Sequence, residues 1–230
     1  AKAAGFDAVE FWAWSNKNLD AIEDALGQTG LALAGILAEP LAALTDPADH
    51  NRFLDGLVQS LAAAQRLGTK VLIAQAGPEL PGLPRNRQRA ALIDALGKSA
   101  QVLAGSGVRL ALEPLNILVD HPGYFLPSTV EGLDIVDAVN RPEIALLYDV
   151  YHSMVMGEVP ATVLAGRVNR LAHIHLADHP GRHQPGSAGL DLASALRWLQ
   201  ANGYTRYAGL EYRPIGDTAA SFEQAKVALG

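Results

Sequence analysis

Residues 171–186 read LAHIHLADHPGRHQPG. The segment opens as an apolar strand around His173 and His175, which share one face because strand side chains repeat every second residue. Pro180, Gly181, Pro185 and Gly186 then break it into a loop that carries Asp178, His179, Arg182 and His183. Five of the seven histidines lie between positions 152 and 183. A solvated surface has no need of such a cluster beside a buried strand, so this segment reads as a strand that delivers chemistry.

Outward from it, the same strand-then-helix unit recurs along the chain. Strands are expected at FDAVEFW (6–12), LALAGILA (31–38), TKVLIAQ (69–75), VRLALEP (108–114), IALLYDV (144–150), LAHIHLA (171–177) and YAGLEYR (207–213). The opening AKAAG reads as the tail of a helix closed by a glycine cap at Gly5. Helices are expected at 17–29, 47–67, 86–105, 128–139, weakly near 160–168, at 188–202, and from Asp217 to the end. Most of the strands are near-continuous apolar runs, the signature of a parallel sheet covered on both faces by helices. No GxGxxG or GxxxxGK[ST] follows any strand, which removes support from the nucleotide-binding open sheets. The remaining α/β architecture is a (β/α)₈ TIM barrel. Seven strands are one short of that count, and the chain begins inside an apparent first helix. The expectation is therefore one barrel domain over residues 1–230, apparently lacking its first strand in this sequence, with two strand edges left unpaired.

Composition agrees with one sizeable folded domain: 230 residues, 49% hydrophobic, formal charge −6 and no cysteine. No apolar run approaches the roughly 18 residues of a membrane helix. The absence of cysteine excludes disulfides, thiolate metal sites and a cysteine nucleophile. A negative balance with no basic block argues against nucleic acid as a partner. The expected location is cytoplasmic. A small molecule is the expected partner, with homo-oligomers left open.

In a barrel the chemistry lies at the carboxyl ends of the strands. Four successive strands carry a metal-competent residue there: Glu113, Asp149, His175 and Glu211, separated by 36, 26 and 36 residues, each about one strand–helix unit. Ala111, Leu147 and Gly209 fall one layer below, as small or apolar supports. A single acid at a strand end is more often a helix cap or a salt-bridge partner. Four at one level are hard to read that way, because crowded carboxylates repel unless a cation holds them. Three carboxylates and an imidazole suit one divalent ion of the Mn²⁺ or Mg²⁺ type, with Co²⁺ and Zn²⁺ as further candidates.

Other polar residues carry two readings each. His152 binds a substrate oxygen or is a loop histidine, and Arg182 clamps a carboxylate or hydroxyl pair or is a solvated loop arginine. Glu10 faces the barrel mouth toward substrate or pairs with a lysine. His173 is a core histidine or braces His175. Trp12 and Trp14 wall a pocket or simply pack, and Asn116 braces Glu113 or caps the turn. His179 and His183 read as loop residues, and His121-Pro122 as loop geometry.

The segments AGFDAVEFW, LALEPLN followed by PGYFL, LLYDVYH, HIHLADHPGRHQPG and GLEYRP resemble, in that order, the hydroxypyruvate isomerase group of the xylose isomerase-like barrel superfamily. The resemblance implies a (β/α)₈ barrel with a divalent metal held by Glu113, Asp149, His175 and Glu211, and a first strand preceding residue 1. It also implies that Glu113 and Glu211 are both ligands and the acid/base pair. The group commonly reads HIQ where this chain reads HIH, so His175 is more similar to the ligand of ketose 3-epimerases and inosose isomerases. After PGRHQPG the group usually continues with glycine and glutamate, and this chain has Ser187-Ala188-Gly189-Leu190-Asp191.

The constellation implies that a metal chelates a carbonyl and its neighbouring hydroxyl, acidifies the intervening C–H and stabilises an enediolate. A glutamate removes and returns the proton. Return to the adjacent carbon is isomerisation, as from hydroxypyruvate to tartronate semialdehyde or in a related sugar. Return to the same carbon from the opposite face is epimerisation. The leading expectation is a metal-dependent isomerase of the aldose–ketose type. The alternatives are a ketose 3-epimerase and a non-catalytic metal- and sugar-binding barrel. A metal-dependent DNA phosphodiesterase shares the barrel type but needs more histidines and a basic face.

Overall fold

The computed structural model describes residues 1–230. Its strands are β1 (Ala8–Phe11), β2 (Ala32–Leu37), β3 (Val71–Gln75), β4 (Arg109–Glu113), β5 (Ile144–Asp149), β6 (Leu171–Leu176) and β7 (Ala208–Leu210). The helices between and after them are α1 (Leu19–Thr29), α2 (His50–Leu67), α3 (Arg85–Leu103), α4 (Thr129–Val139), α5 (Val150–Val155), α6 (Pro160–Val163), α7 (Leu192–Ala201) and α8 (Thr218–Leu229). Local chemistry sets these boundaries. The Asn18 side chain accepts from Ala21 N–H to start α1, and Gly68 ends α2 at φ 77°, a conformation that favours glycine.

All seven strands are parallel and pair in chain order, β1 through β7. The result is a nearly closed TIM barrel, open between β7 and β1. Every residue of β5 and β6 is buried, because one face meets helices and the other meets the barrel interior. The outward side chains, among them Leu112, Leu146, Tyr148 and Ile174, join the main core under the helices. Replacing a fully buried Leu112 by alanine costs about 2–5 kcal/mol by transfer and cavity terms. The inward layer is small and apolar: Leu37, Val71, Ile73, Ala111, Ala145, Leu147 and Ala172. It forms the floor on which the polar strand ends stand. Beside the opening, α8 packs on the N-terminal turn: the Phe6 and Phe222 rings meet edge-on at 5.1 Å, and Lys226 Nζ donates to the Ala4 carbonyl at 2.9 Å.

Three segments differ from the sequence expectation, each because backbone groups find another partner. After β5 the chain turns helical at once, as the Asp149 carboxylate accepts the His152 N–H at 3.1 Å and caps α5. The helix expected at 188–202 begins only at Leu192. The N–H groups of Gly186, Ala188 and Leu190 instead bond the buried Asp178 carboxylate at 3.1, 2.8 and 2.9 Å. The strand expected at 207–213 is only three residues long, and Arg213 N–H bonds the Arg182 carbonyl at 2.8 Å rather than a neighbouring strand. That bond ties the 178–190 loop to the end of β7.

Candidate active site

Strand register brings four of the expected residues to one level. Asp149 pairs with His175 across β5 and β6, and Glu211 follows β7 with its N–H on the Leu176 carbonyl at 3.2 Å. Glu113 ends β4 opposite Gln75. The Glu113 carbonyl is pinned by Tyr124 Oη at 2.9 Å, and the same hydroxyl accepts from Ala76 N–H at 2.6 Å, fastening the ends of β3 and β4 together. Tyr124 belongs to the PGYFL segment, but its role as a strand clip needs the tertiary contact to be seen.

His175 Nδ1 lies 3.4 Å from Glu113 Oε1 and 3.2 Å from Glu211 Oε2. One ligand atom from each of Glu113, Asp149, His175 and Glu211 falls within 4.8 Å of the other three. Both oxygens of Glu113, and Nδ1 of His175, are buried without a hydrogen-bond partner. Buried polar atoms are ordinarily paired, and a buried carboxylate cluster without a counter-charge is strongly unfavourable. Burial pushes Glu113 up to about 7, with Glu211 and Asp149 adding to the rise against the opposing His175. Against its own burial, His175 is driven well above the usual imidazole range by Glu10, Glu113 and Glu211. Glu211 is held below the usual carboxylate range, because its contacts with His175 and Arg182 outweigh its burial. The orphaned atoms converge, the donors are three carboxylates and one imidazole, and a divalent cation fits them.

Glu10 reaches this centre from the opposite side of His175. Its Oε2 lies 2.7 Å from His173 Nε2 and 3.4 Å from His175 Nε2. A proton on His175 Nε2 directed at Glu10 leaves Nδ1 free to ligate, the usual support of a metal-bound histidine. Gly209 makes room for this: a Cβ there would collide with Glu10 Oε1 and stand 2.8 Å from His175 Cδ2. Of its two sequence readings Glu10 takes the one that faces the cavity, and its carboxylate is engaged with two histidines rather than a lysine. His173 sits in the same network.

Arg182 Nη2 donates to Glu211 Oε2 at 2.7 Å and lies 3.9 Å from Asp149 Oδ2. Its guanidinium rests 5.5 Å over the Tyr151 ring, and its backbone is left-handed at φ 54°. A strained backbone at a site residue is a recurrent feature of functional loops. His152 is buried one turn past Asp149, with Nδ1 on Asn116 and Nε2 3.5 Å from Asp149 Oδ2. Burial pulls it below the usual imidazole range, as do Arg182 and His121 against Asp149. Asn116 thus braces His152 rather than Glu113.

A cavity of about 220 Å³ has Glu10, Trp12, Glu113, His175, Glu211 and Tyr212 among its lining residues, while Asp149, His152 and Arg182 stand outside that lining. Trp12 walls it, whereas Trp14 is turned away, its indole donating to Ser60 at 3.1 Å. His183 stays in the loop, bonded to the Arg213 carbonyl at 2.7 Å. Asp178 holds no place among the ligand groups and instead anchors the loop that carries Arg182. No helix is long and apolar enough to cross a membrane.

The barrel and its polar strand ends define a class, and residues 1–226 match the model of the xylose isomerase-like TIM barrel family. The chain belongs to that family. It is 30% identical to the 2-oxo-tetronate isomerase of Cupriavidus necator, over 100% of this chain and 91% of that one. It is 26% identical to the hydroxypyruvate isomerase of Escherichia coli, over 88% of this chain and 74% of that one. Among solved structures, a Brucella melitensis protein described as AP endonuclease, family 2, superposes with a TM-score of 0.87. That protein is 28% identical, over 96% of this chain and 87% of its own. These relationships make the chain an isomerase by enzyme class.

Proposed function

We propose that the protein isomerises a small hydroxy-carbonyl acid, of the hydroxypyruvate or 2-oxo-tetronate kind, through an enediolate and with a divalent metal ion. The observation that carries this reading is the convergence of Glu113, Asp149, His175 and Glu211, with orphaned oxygens on Glu113 and an orphaned Nδ1 on His175, where three of the four line one small cavity. A divalent ion held by those four, Mn²⁺ or Mg²⁺ on the hardness of the donors, supplies polarisation of a carbonyl and its neighbouring hydroxyl. Glu113 and Glu211 carry the proton between adjacent carbons as base and acid. Arg182 and His152 offer donors to the substrate's oxygens, and Arg182 at the same time orients Glu211 through their 2.7 Å bond. Trp12 and the apolar Leu37 and Ile73 exclude water from the exchanging proton. The cavity's volume of about 220 Å³ lies below the ~300–1,000 Å³ of common ligand pockets, which favours a substrate of a few carbon atoms.

The test is proton exchange in D₂O with Mg²⁺, followed by NMR on hydroxypyruvate, a 2-oxo-tetronate and free ketoses. Metal-dependent deuterium uptake with conversion of either acid supports the reading. Deuterium confined to C3 of a ketose, with inversion there, replaces it by 3-epimerisation. No exchange on any compound, with metal bound, replaces it by a binding barrel, and cleavage of abasic-site DNA by a phosphodiesterase.

A further inference from the structure

The His152 ring is held from behind in a way that fixes which of its nitrogens carries the proton. The backbone N–H of Asn116 points at His152 Nδ1 from 3.2 Å, and the Asn116 side-chain Nδ2 lies 2.7 Å from the same atom. The orientation of that amide is not free to turn. Asn116 Oδ1 accepts the N–H groups of Val119 and Asp120, each at 3.0 Å, and Nδ2 spends its second hydrogen on Asp120 Oδ2 at 2.6 Å. A flipped amide would set its NH₂ against two N–H donors and its oxygen against a carboxylate. Tyr151 Oη secures Asp120 in turn, at 2.7 Å. Every hydrogen-bonding position of the Asn116 amide is therefore used.

Two groups that only donate meet at Nδ1, so Nδ1 accepts and the ring proton sits on Nε2. Nε2 is buried and has no hydrogen-bond partner; Asp149 Oδ2 stands 3.5 Å away without forming a bond. A buried orphan donor 3.5 Å from Asp149, itself one of the four clustered strand-end residues, is a position that a ligand oxygen completes. Tyr151 gathers the second donor to the same place, with its ring 5.2 Å from that of His152 and 5.5 Å from the Arg182 guanidinium.

We propose that Asn116 is a positioning residue that fixes His152 as an Nε2–H donor to a lone pair on a substrate oxygen, a carbonyl or carboxylate oxygen, and so removes His152 from the candidates for the base. The inference rests on the isomerase reading for the identity of the oxygen, but not for the state of the ring. Glu113 and Glu211 remain the proton carriers.

The first measurement is long-range ¹H–¹⁵N correlation NMR of the intact protein with Mg²⁺, which reports the tautomer of His152 whether or not any substrate is turned over. The expected spectrum has an unprotonated Nδ1 and a protonated Nε2. A proton on Nδ1 overturns the proposal, even if the isomerase assay succeeds. In Asn116→Ala, which retains the backbone donor, the single tautomer is expected to give way to a mixture while kcat falls more than KM rises. A lowered Tm with tautomer and kcat unchanged would reduce Asn116 to a turn cap and overturn its positioning role. His152→Leu is expected to lose kcat by about 10²-fold, as when one preorganised donor to a developing oxyanion is removed. His152→Gln, which can present an N–H near the same point, is expected to recover part of that loss. Equal losses in the two variants, with binding and folding intact, would contradict the donor role.

Discussion

The first half of the barrel, β1 to β3, brings Leu37 and Ile73 to the cavity, whereas the second half, β4 to β7, brings Glu113, His175 and Glu211, with Asp149 beside them. The apolar half excludes water and lowers the local dielectric. That makes the acidic half costly without a cation and raises the strength of any charge contact made there. One residue breaks the division. Glu10, from β1, lines the same cavity and reaches His173 and His175 on β6 across the bare backbone of Gly209. The sheet has no hydrogen bonds between β7 and β1, so this carboxylate is a polar link between the two ends of the sheet. The candidate ligands thus come from one half, while the His175 ring among them is contacted from the other by Glu10.

Substitutions in the acidic half have the largest expected effect. Glu113→Gln and Glu211→Gln are each expected to lower turnover by roughly 10³-fold with the fold retained, within the range for loss of an acid–base group. Steady-state kinetics alongside circular dichroism would check this, and near-normal turnover in both would dissolve the contrast between the halves. Glu10→Gln is the next step down. Weakening the hold on His175 Nε2 is expected to reduce metal affinity by about 10–100-fold, read by calorimetric titration with Mn²⁺. Unchanged affinity would confine Glu10 to packing or substrate contact.

Gly209→Ala sharpens the same point from the β7 side. The added Cβ would collide with the Glu10 carboxylate, so a loss of about 1–3 kcal/mol in denaturant unfolding is expected, together with weakened metal binding. The smallest effect is on the pH dependence of stability. In metal-free protein Glu113 is raised from 4.5 to about 7, so the folded state binds more protons than the unfolded state across that interval. Stability contributed by the protonated form is present below about 4.5 and is lost as pH rises toward 7. His175, raised well above 6.5, adds a loss of the same sign at higher pH. His152, lowered from 6.5, contributes with the opposite sign, so the cluster's share is read as a difference: relative to Glu113→Gln, Tm of the metal-free parent protein is expected to fall as pH rises through this window, and saturating Mg²⁺ to flatten or reverse that difference. A difference that climbs with pH there would contradict the unpaired state of the cluster.

Much of this arrangement was legible in the residues themselves. Parallel strands announce themselves as apolar runs, and their carboxyl ends fall at regular intervals, so Glu113, Asp149, His175 and Glu211 could be aligned by counting alone. Gly209 beneath Glu211 was readable as a small support, but the reason for its size, the passage of Glu10, is a contact between residues almost the whole chain apart. Of the two sequence readings of Asn116, the turn cap holds, as its Oδ1 accepts from Val119 and Asp120 N–H, and the brace on Glu113 does not. Its real partner is 36 residues away, brought over by the neighbouring β5 and the immediate turn into α5. The start of α7 was obscured for a related reason. Residues 186–190 have the composition of a helix entry, yet Asp178 captures their N–H groups from a distance that local propensity does not register.

The proposed reaction requires one divalent ion held on the protein by the four strand-end residues. The most direct test is electron paramagnetic resonance titration of the intact protein with Mn²⁺, repeated on Asp149→Ala and His175→Ala. One saturable Mn²⁺ per chain is expected in the parent protein, with loss of that site in both variants and the fold preserved. Absence of saturable binding, or binding that survives both substitutions, would contradict it.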